Sequence, residues 1–339
     1  MRYSRVFLEP IAVQLAPVVV TSAELEDRLA PVYAALRVPA GQLEALTGIA
    51  ERRFWEPGFR PSRGAAMAAR KALAQSGVGP ADLGALVYAG VCRDELEPAT
   101  ACHVAAEIGV RPDAAVHDVG NACLGVLGGI LDVANRIELG QVRAGLVVAC
   151  ESAREIVDAT IERLRARPGD MDLFRLSIAT MTGGSGAVAV LVTDGSFAGG
   201  RRRRLAGAVT RAAPEHHELC RWSPGVMTTD SVAVLKHGVE LGRATWEAFL
   251  AELGWARDAV DKVICHQVGS AHQREILRAL GIAPERDFTT YEHLGNMGTA
   301  ALPAAASIAE AREFLRPGDR VGFLGIGSGL NCMMLGIEW

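Results

Sequence analysis

The sequence predicts a layered α/β fold built as two similar halves, and three features point to it. Runs rich in Val, Leu and Ala, such as ALVYAGV (85–91), AGLVVACE (144–151), KVICHQV (262–268) and VGFLGIG (321–327), read as strands buried on both faces. Segments Arg63–Ser76 and Val234–Leu253 carry apolar residues at three- and four-residue spacing, as helices covering a sheet do. The third feature is self-similarity. Gly77–Gly90 matches Gly254–Gln267, Val142–Glu151 matches Asp319–Ser328, and the helix opening at Asn121 matches Gly298–Phe314, all at an offset of 177 residues.

The two halves are expected over 1–175 and 205–339. The N-terminal MRYSRVFLEPIAVQLAP reads as an opening strand, because no positive segment leads into a long apolar run as in a signal peptide. Residues 160–180, with RARPGDMD, read as a surface insertion, and VTDGSFAGGRRRRLAG reads as the connection between halves. No apolar run approaches the roughly 18 residues that a membrane span needs. A formal net charge of -4 gives no reason to expect nucleic acid as a partner. The seven cysteines are odd in number and include no CxxC pair, which argues against a disulfide framework or a structural metal site and for a reduced, cytoplasmic setting. Most of them, namely Cys92, Cys102, Cys150, Cys265 and Cys332, are expected to be small buried hydrophobes.

Cys123 has different surroundings. In VGNACLGVLGGILDVAN, a strand end turns into a helix with Asn121 as candidate cap and Cys123 in the first turn. Unpaired N–H groups and the positive end of a helix dipole lower a thiol pKa, so the position suits an acyl-accepting nucleophile. The neighbouring glycines, each costing roughly 1 kcal/mol relative to alanine in a helix, are expected to make room for an acyl thioester. The second half offers partners. His266 ends an apolar strand in VICHQVGSAH, and Asn296 sits in the Gly-flanked turn of HLGNMGTAALP. Taken singly, each is more often structural. The repeat strengthens both, because the helix after Asn296 matches the helix that carries Cys123.

Together GNACLG, CHQVGSAH, GNMGTAALP and GIGSGLNC resemble the thiolase superfamily, in its ketoacyl-ACP synthase III branch, over nearly the whole chain. The resemblance implies the duplicated five-layer αβαβα thiolase fold and a homodimer. Within the branch, VCRDELEPATA, ERRFWE and GIGSGLNC are most similar to OleA-type enzymes, which join two fatty acyl-CoA molecules head to head into a β-keto acid for olefin or β-lactone biosynthesis. By resemblance, Cys123 takes the first acyl group, the backbone amides of Cys123 and Ser328 form the oxyanion hole, and His266 and Asn296 stabilise the enolate of the second. Condensation without decarboxylation needs a base for the α-proton. The resemblance assigns that role to Glu97, reaching the partner subunit's site, where desolvation would raise its pKa.

The resemblance implies no cofactor beyond the coenzyme A thioesters that are substrates, and downstream pathway enzymes as further partners. The stretch after His266 holds no Lys or Arg until Arg274, which weakens a carrier-protein reading. Arg52, Arg53, Arg221 and Arg201–Arg204 are candidates for meeting CoA phosphates, although arginines of this kind are more often solvated. Two alternatives stand beside the main reading. One is a decarboxylative 3-oxoacyl-ACP synthase III or acyltransferase on the same scaffold. The other is a non-catalytic acyl-binding subunit, against which the intact Cys123, His266 and Asn296 set argues.

Overall fold

The computed structural model describes residues 1–197 and 203–339. The first half contains strands β1 (Phe7–Leu15), β2 (Val18–Thr21), β3 (Glu51–Phe54), β4 (Ala85–Tyr88), β5 (Ala115–Asp118), β6 (Ala144–Glu151) and β7 (Gly186–Thr193). Its helices are α1 (Ser22–Arg28), α2 (Ala30–Leu36), α3 (Gln42–Thr47), α4 (Pro61–Ala74), α5 (Thr100–Ile108), α6 (Gly125–Glu138), α7 (Arg154–Arg165) and α8 (Met171–Met181). The second half contains β8 (Arg203–Ala212), β9 (Cys220–Ser223), β10 (Val226–Thr229), β11 (Lys262–Cys265), β12 (Arg320–Gly327) and β13 (Asn331–Glu338), with α9 (Ser231–Leu253), α10 (Ser270–Leu280), α11 (Tyr291–Leu294) and α12 (Ala301–Ala311).

Nine strands pair in the order β11-β12-β13-β8-β1-β7-β6-β4-β5. Among the described residues the two half-sheets join where β1 pairs with β8, through Phe7↔Arg204 and Leu8↔Arg203. Strand periodicity then sorts the side chains into layers. Ala144, Leu146, Val148 and Cys150 of β6 face one way, onto α4 and α5, while Val147 and Ala149 face the other, onto α6. In the second half Leu324, Cys332 and Met334 face Trp246, Phe249 and Ile276 of α9 and α10, while Phe323, Leu335 and Ile337 face inward. The inward residues of both half-sheets share one core with α6 and α12. The layers are therefore helix, half-sheet, paired inner helices, half-sheet and helix: the five-layer αβαβα thiolase arrangement.

The repeat is real but slips by one residue. β11 starts 177 residues after β4, whereas α12 and β12 start 176 residues after α6 and β6. The expected boundary near 175 falls inside α8. Of the expected connection, residues 198–202 lie outside the described residues. Residues 160–180 are not a surface excursion. Between β6 and β7 the first half inserts α7 and α8, where the second half turns directly from β12 into β13. Val157, Ile161, Leu164, Phe174 and Met181 of this pair pack with Val32 and Phe54 into a separate core. The helical spacing of these apolar residues, hidden behind the polar RARPGD turn, is what buries them. Among the described residues no helix is long and apolar enough to cross a membrane.

Two glycines of α6 serve the packing and not, as expected, an acyl group. A Cβ on Gly125 would collide with the carbonyl oxygen of Ala89, and one on Gly129 would stand 2.6 Å from Val147. A Cβ on Gly128 would meet nothing nearer than Val119 at 3.9 Å. Gly125→Ala is therefore expected to destabilise by about 1–3 kcal/mol through overpacking. Gly128→Ala is expected to stabilise by roughly 0.5–1 kcal/mol through helix propensity. Thermal unfolding of the two variants checks this, and equal shifts in Tm would contradict it.

Candidate active site

Cys123 and Asn296 lie just before the inner helices α6 and α12, while His266 and Ser328 follow the carboxyl ends of β11 and β12, the side on which ligands of α/β folds bind. Cys123 lies in a one-turn 3-10 segment, Ala122–Leu124, that feeds α6. Asn121 occupies the cap position, but its side chain caps nothing and instead accepts from Asn331 Nδ2 at 3.2 Å. Ala122 is forced to a φ of 44°, a left-handed conformation costing about 1–2 kcal/mol for a residue with a Cβ. The matching 3-10 turn, Gly298–Ala300, opens α12. The two turns are tied by the Val126 amide, which donates to Thr299 Oγ1 at 2.6 Å.

The end of β12 abuts the nucleophile: a Cβ built on Gly327 would lie 3.5 Å from the Cys123 amide nitrogen. Ser328 follows, in the turn to β13. Among the described residues, neither the Cys123 nor the Ser328 amide donates to another residue, which suits both as oxyanion donors. His266 follows β11 and is 5% exposed. Its amide donates to the Leu324 carbonyl at 3.0 Å, which extends the parallel pairing of β11 with β12 and sets His266 level with Gly325. Gly325 lies against Leu124, next to Cys123. Asn296 is held by three bonds. Its amide donates to Thr182 O, its carbonyl accepts from Gly184 N, and its Oδ1 accepts from Gly298 N at 3.0 Å. With Oδ1 occupied, the group left to face a ligand is the Nδ2 donor.

The electrostatics differ from the sequence expectation at Cys123. Burial pushes the thiol up to about 12, and the Cys220 thiol and Glu151 carboxylate add to the rise. A single 3-10 turn separates Cys123 from the axis of α6, so the helix dipole is a weak opponent of desolvation. Burial also drives His266 down to about 3, assisted by His272, which burial itself lowers to about 4. Cys123 and His266 are thus both neutral at rest.

Glu97 stands apart from these residues. It is exposed, makes no hydrogen bond or ion pair among the described residues, and lies on an arm between β4 and α5 whose apex residue Leu96 is 97% exposed. Its own chain therefore does not supply the expected desolvation. The arm is firmly rooted. Glu151 Oε1 and Oε2 accept from the amides of Val91 (2.9 Å) and Cys92 (3.2 Å), and Tyr88 Oη donates to the carbonyl of Cys92. Further along, Asp94 accepts from Arg60 Nε and from the amide and hydroxyl of Ser62. Glu151 is the residue that sequence reasoning missed. The available signal was a lone acid closing the apolar strand AGLVVACE.

Several candidate arginines are engaged in structure. Arg52 is fully buried against Ser22 and the Met181 carbonyl, Arg203 is buried with Glu310 and the Glu9 carbonyl, and Arg204 pairs with Glu338 at 2.7 Å. Arg53 is half-buried, and Arg221 is exposed beside Glu218. Arg201 and Arg202 lie outside the described residues. Of the cysteines expected to be buried, Cys150, Cys265 and Cys332 are, Cys92 is half-buried and Cys102 is exposed.

Comparison with known proteins agrees with this geometry. Residues 250–339 match the family model for the 3-oxoacyl-[acyl-carrier-protein] synthase III C terminal. An acyl-CoA:acyl-CoA alkyltransferase of Shewanella oneidensis is 58% identical over 350 residues, covering 100% of both chains. The enzyme of the same name from Xanthomonas campestris is 35% identical over 339 residues, again covering 100% of both. A crystal structure of Xanthomonas campestris OleA superposes with a TM-score of 0.97 at 35% identity, over 100% of this chain and 98% of that one. Another, with bound lauric acid and lauroyl-CoA, superposes with a TM-score of 0.96 over 99% and 100%. Fold and site define a thiolase-fold condensing enzyme of the 3-oxoacyl synthase III type. Within that class, the chain belongs to the acyl-CoA:acyl-CoA alkyltransferase family, the OleA enzymes.

The raised thiol pKa has a direct consequence. Alkylation of the resting enzyme at Cys123 by iodoacetamide is expected to keep accelerating as pH rises through 7, 8 and about 9, since the thiolate fraction is still growing there. A plateau reached near neutral pH would show a thiolate already formed and contradict the assignment.

Proposed function

We propose that this enzyme condenses two fatty acyl-CoA thioesters without decarboxylation, through an acyl-Cys123 intermediate, to give a β-keto acid. The observation that carries the reading is the 58% identity, over the full length of both chains, to a protein named for acting on two acyl-CoA molecules. Cys123 Sγ attacks the first thioester, its proton leaves with the departing CoA thiol, and the unpaired amides of Cys123 and Ser328 stabilise the tetrahedral oxyanion. The second acyl-CoA then places its thioester oxygen between His266 and Asn296 Nδ2. A neutral histidine suits this role, because it donates a hydrogen bond and does not take the proton itself.

Glu97 of the partner subunit removes the α-proton from the second acyl-CoA. The resulting carbanion attacks the acyl-Cys123 carbonyl, forming the C–C bond and breaking the C–S bond. Hydrolysis of the β-ketoacyl-CoA consumes one water and releases the second CoA. An exposed carboxylate on a rooted arm, useless to its own site, supports action across a dimer. So does a spacing: crystal structures of Xanthomonas campestris OleA include variants at a cysteine and a glutamate 26 positions apart, the separation of Glu97 and Cys123. The acyl chains are fatty, the subunits form a homodimer, and the setting is cytoplasmic. A decarboxylative synthase III reading is favoured by one finding, the 31% identity to such an enzyme from Rhodospirillum rubrum over 92% of both chains.

One long-chain acyl-CoA supplied without a malonyl donor separates the two. The expected products are a β-keto acid, or the ketone it loses CO2 to become, and two CoA per condensation. Cys123→Ala is expected to abolish both products. Glu97→Ala is expected to keep acylation of Cys123 and to slow condensation by about 10²–10⁴-fold, the usual size of a general-base contribution. Acyl-enzyme without condensation in the wild type would overturn the proposal in favour of a malonyl-dependent enzyme.

A further inference from the structure

Glu151 is 3% exposed and closes β6 within the inner core. Its two carboxylate oxygens take the amides of Val91 and Cys92, the first residues of the arm that carries Glu97. The same carboxylate packs against the turn after Asn296: its Cδ lies 3.2 Å from where a Cβ on Gly298 would stand, and the nearby Thr299 amide helps to offset the desolvation of its charge. These two residues belong to the turn that orients Asn296 and is stitched to the helix of Cys123. One carboxylate thus lies where three pieces of backbone meet: the root of the arm, the turn that follows Asn296 and the end of its own strand β6.

We infer that Glu151 is a positioning residue that fixes the arm bearing Glu97 relative to the frame of Cys123 and Asn296, and thereby serves the condensation step specifically. The inference rests on Glu97 being the α-proton base. A carboxylate is the group this place requires, since the Val91 and Cys92 amides each take one of its oxygens and only acceptors satisfy them. Glutamine would turn an NH2 donor toward one of those amides, and aspartate, one methylene shorter, would lose reach to at least one. Other bonds hold the arm locally, including Tyr88 to Cys92 and Arg60 and Ser62 to Asp94, so the loss is one of register and not of the arm itself. A displacement of about 1 Å at a reacting group costs on the order of a hundredfold in rate.

The test compares the two half-reactions in Glu151→Gln. With a long-chain acyl-CoA, intact-mass analysis should show Cys123 acylated to the wild-type extent, while β-keto acid formation falls about a hundredfold. The pH profile of Cys123 alkylation should also move to lower pH, because one of the two titratable groups that raise this thiol, Glu151 and Cys220, has lost its charge. If Glu151→Gln does not fold, Glu151→Asp is read in its place, with condensation slowed and the alkylation profile unmoved. Wild-type condensation in the folded variant, or an equal fall in acylation and condensation, would overturn the inference. Glu97→Ala, run alongside, isolates the premise: full condensation in that variant sinks the reading of Glu97, whatever Glu151→Gln does.

Discussion

The bond from the Val126 amide to the Thr299 hydroxyl joins the first turns of the two inner helices, one from each half of the chain. It is buried, so breaking it would strand a backbone donor at a cost of about 1–3 kcal/mol. Around it the halves are locked in a fixed relation. Cys123 lies three residues before the donor, and Asn296 three residues before the acceptor. Gly125 allows α6 to press on the carbonyl of Ala89, and Gly327 allows β12 to reach the Cys123 amide. The active site is thus the place where two copies of one supersecondary unit touch, and its geometry follows from how closely they approach.

That closeness sets the electrostatics. A site dry enough to accept two acyl chains disfavours charge, and burial leaves the Cys123 thiol and the His266 imidazole neutral at rest. The proposed oxyanion and enolate donors are neutral N–H groups already held in place, so on that proposal little reorganises when negative charge develops on a substrate oxygen. A base for carbon acid chemistry is harder to keep in such a place. Glu97, the proposed base, is carried on an exposed arm, and on that proposal it gains a dry environment only where another chain supplies one.

Much of this was legible in the sequence. The apolar strands and the two halves follow from periodicity and one internal offset, while Cys123, His266 and Asn296 are singled out by local chemistry, strengthened by that offset and given their roles by the family resemblance. What escaped did so for physical reasons. Residues 160–180 carry helical apolar spacing, but the polar turn at their centre obscured a buried face. Asn121 has the chemistry of a cap, yet Asn331 from the last strand claims its side chain. The thiol pKa turned on burial, a tertiary quantity, and not on the local helix end. Glu151 was invisible because its partners are backbone amides 59 and 60 residues earlier, and amides leave no mark in a sequence.

The central claim is that one active site draws its nucleophile and its base from different chains. Co-expression of two differently tagged protomers, one Cys123→Ala and the other Glu97→Ala, with purification of the mixed dimer, tests this most directly. In that dimer one site keeps Cys123 and receives Glu97 from its neighbour. The account predicts that this mixed dimer condenses acyl-CoA at about half the wild-type rate, one working site of two, while both parent homodimers fail. A mixed dimer as inactive as its parents would place both residues in one chain and contradict the account.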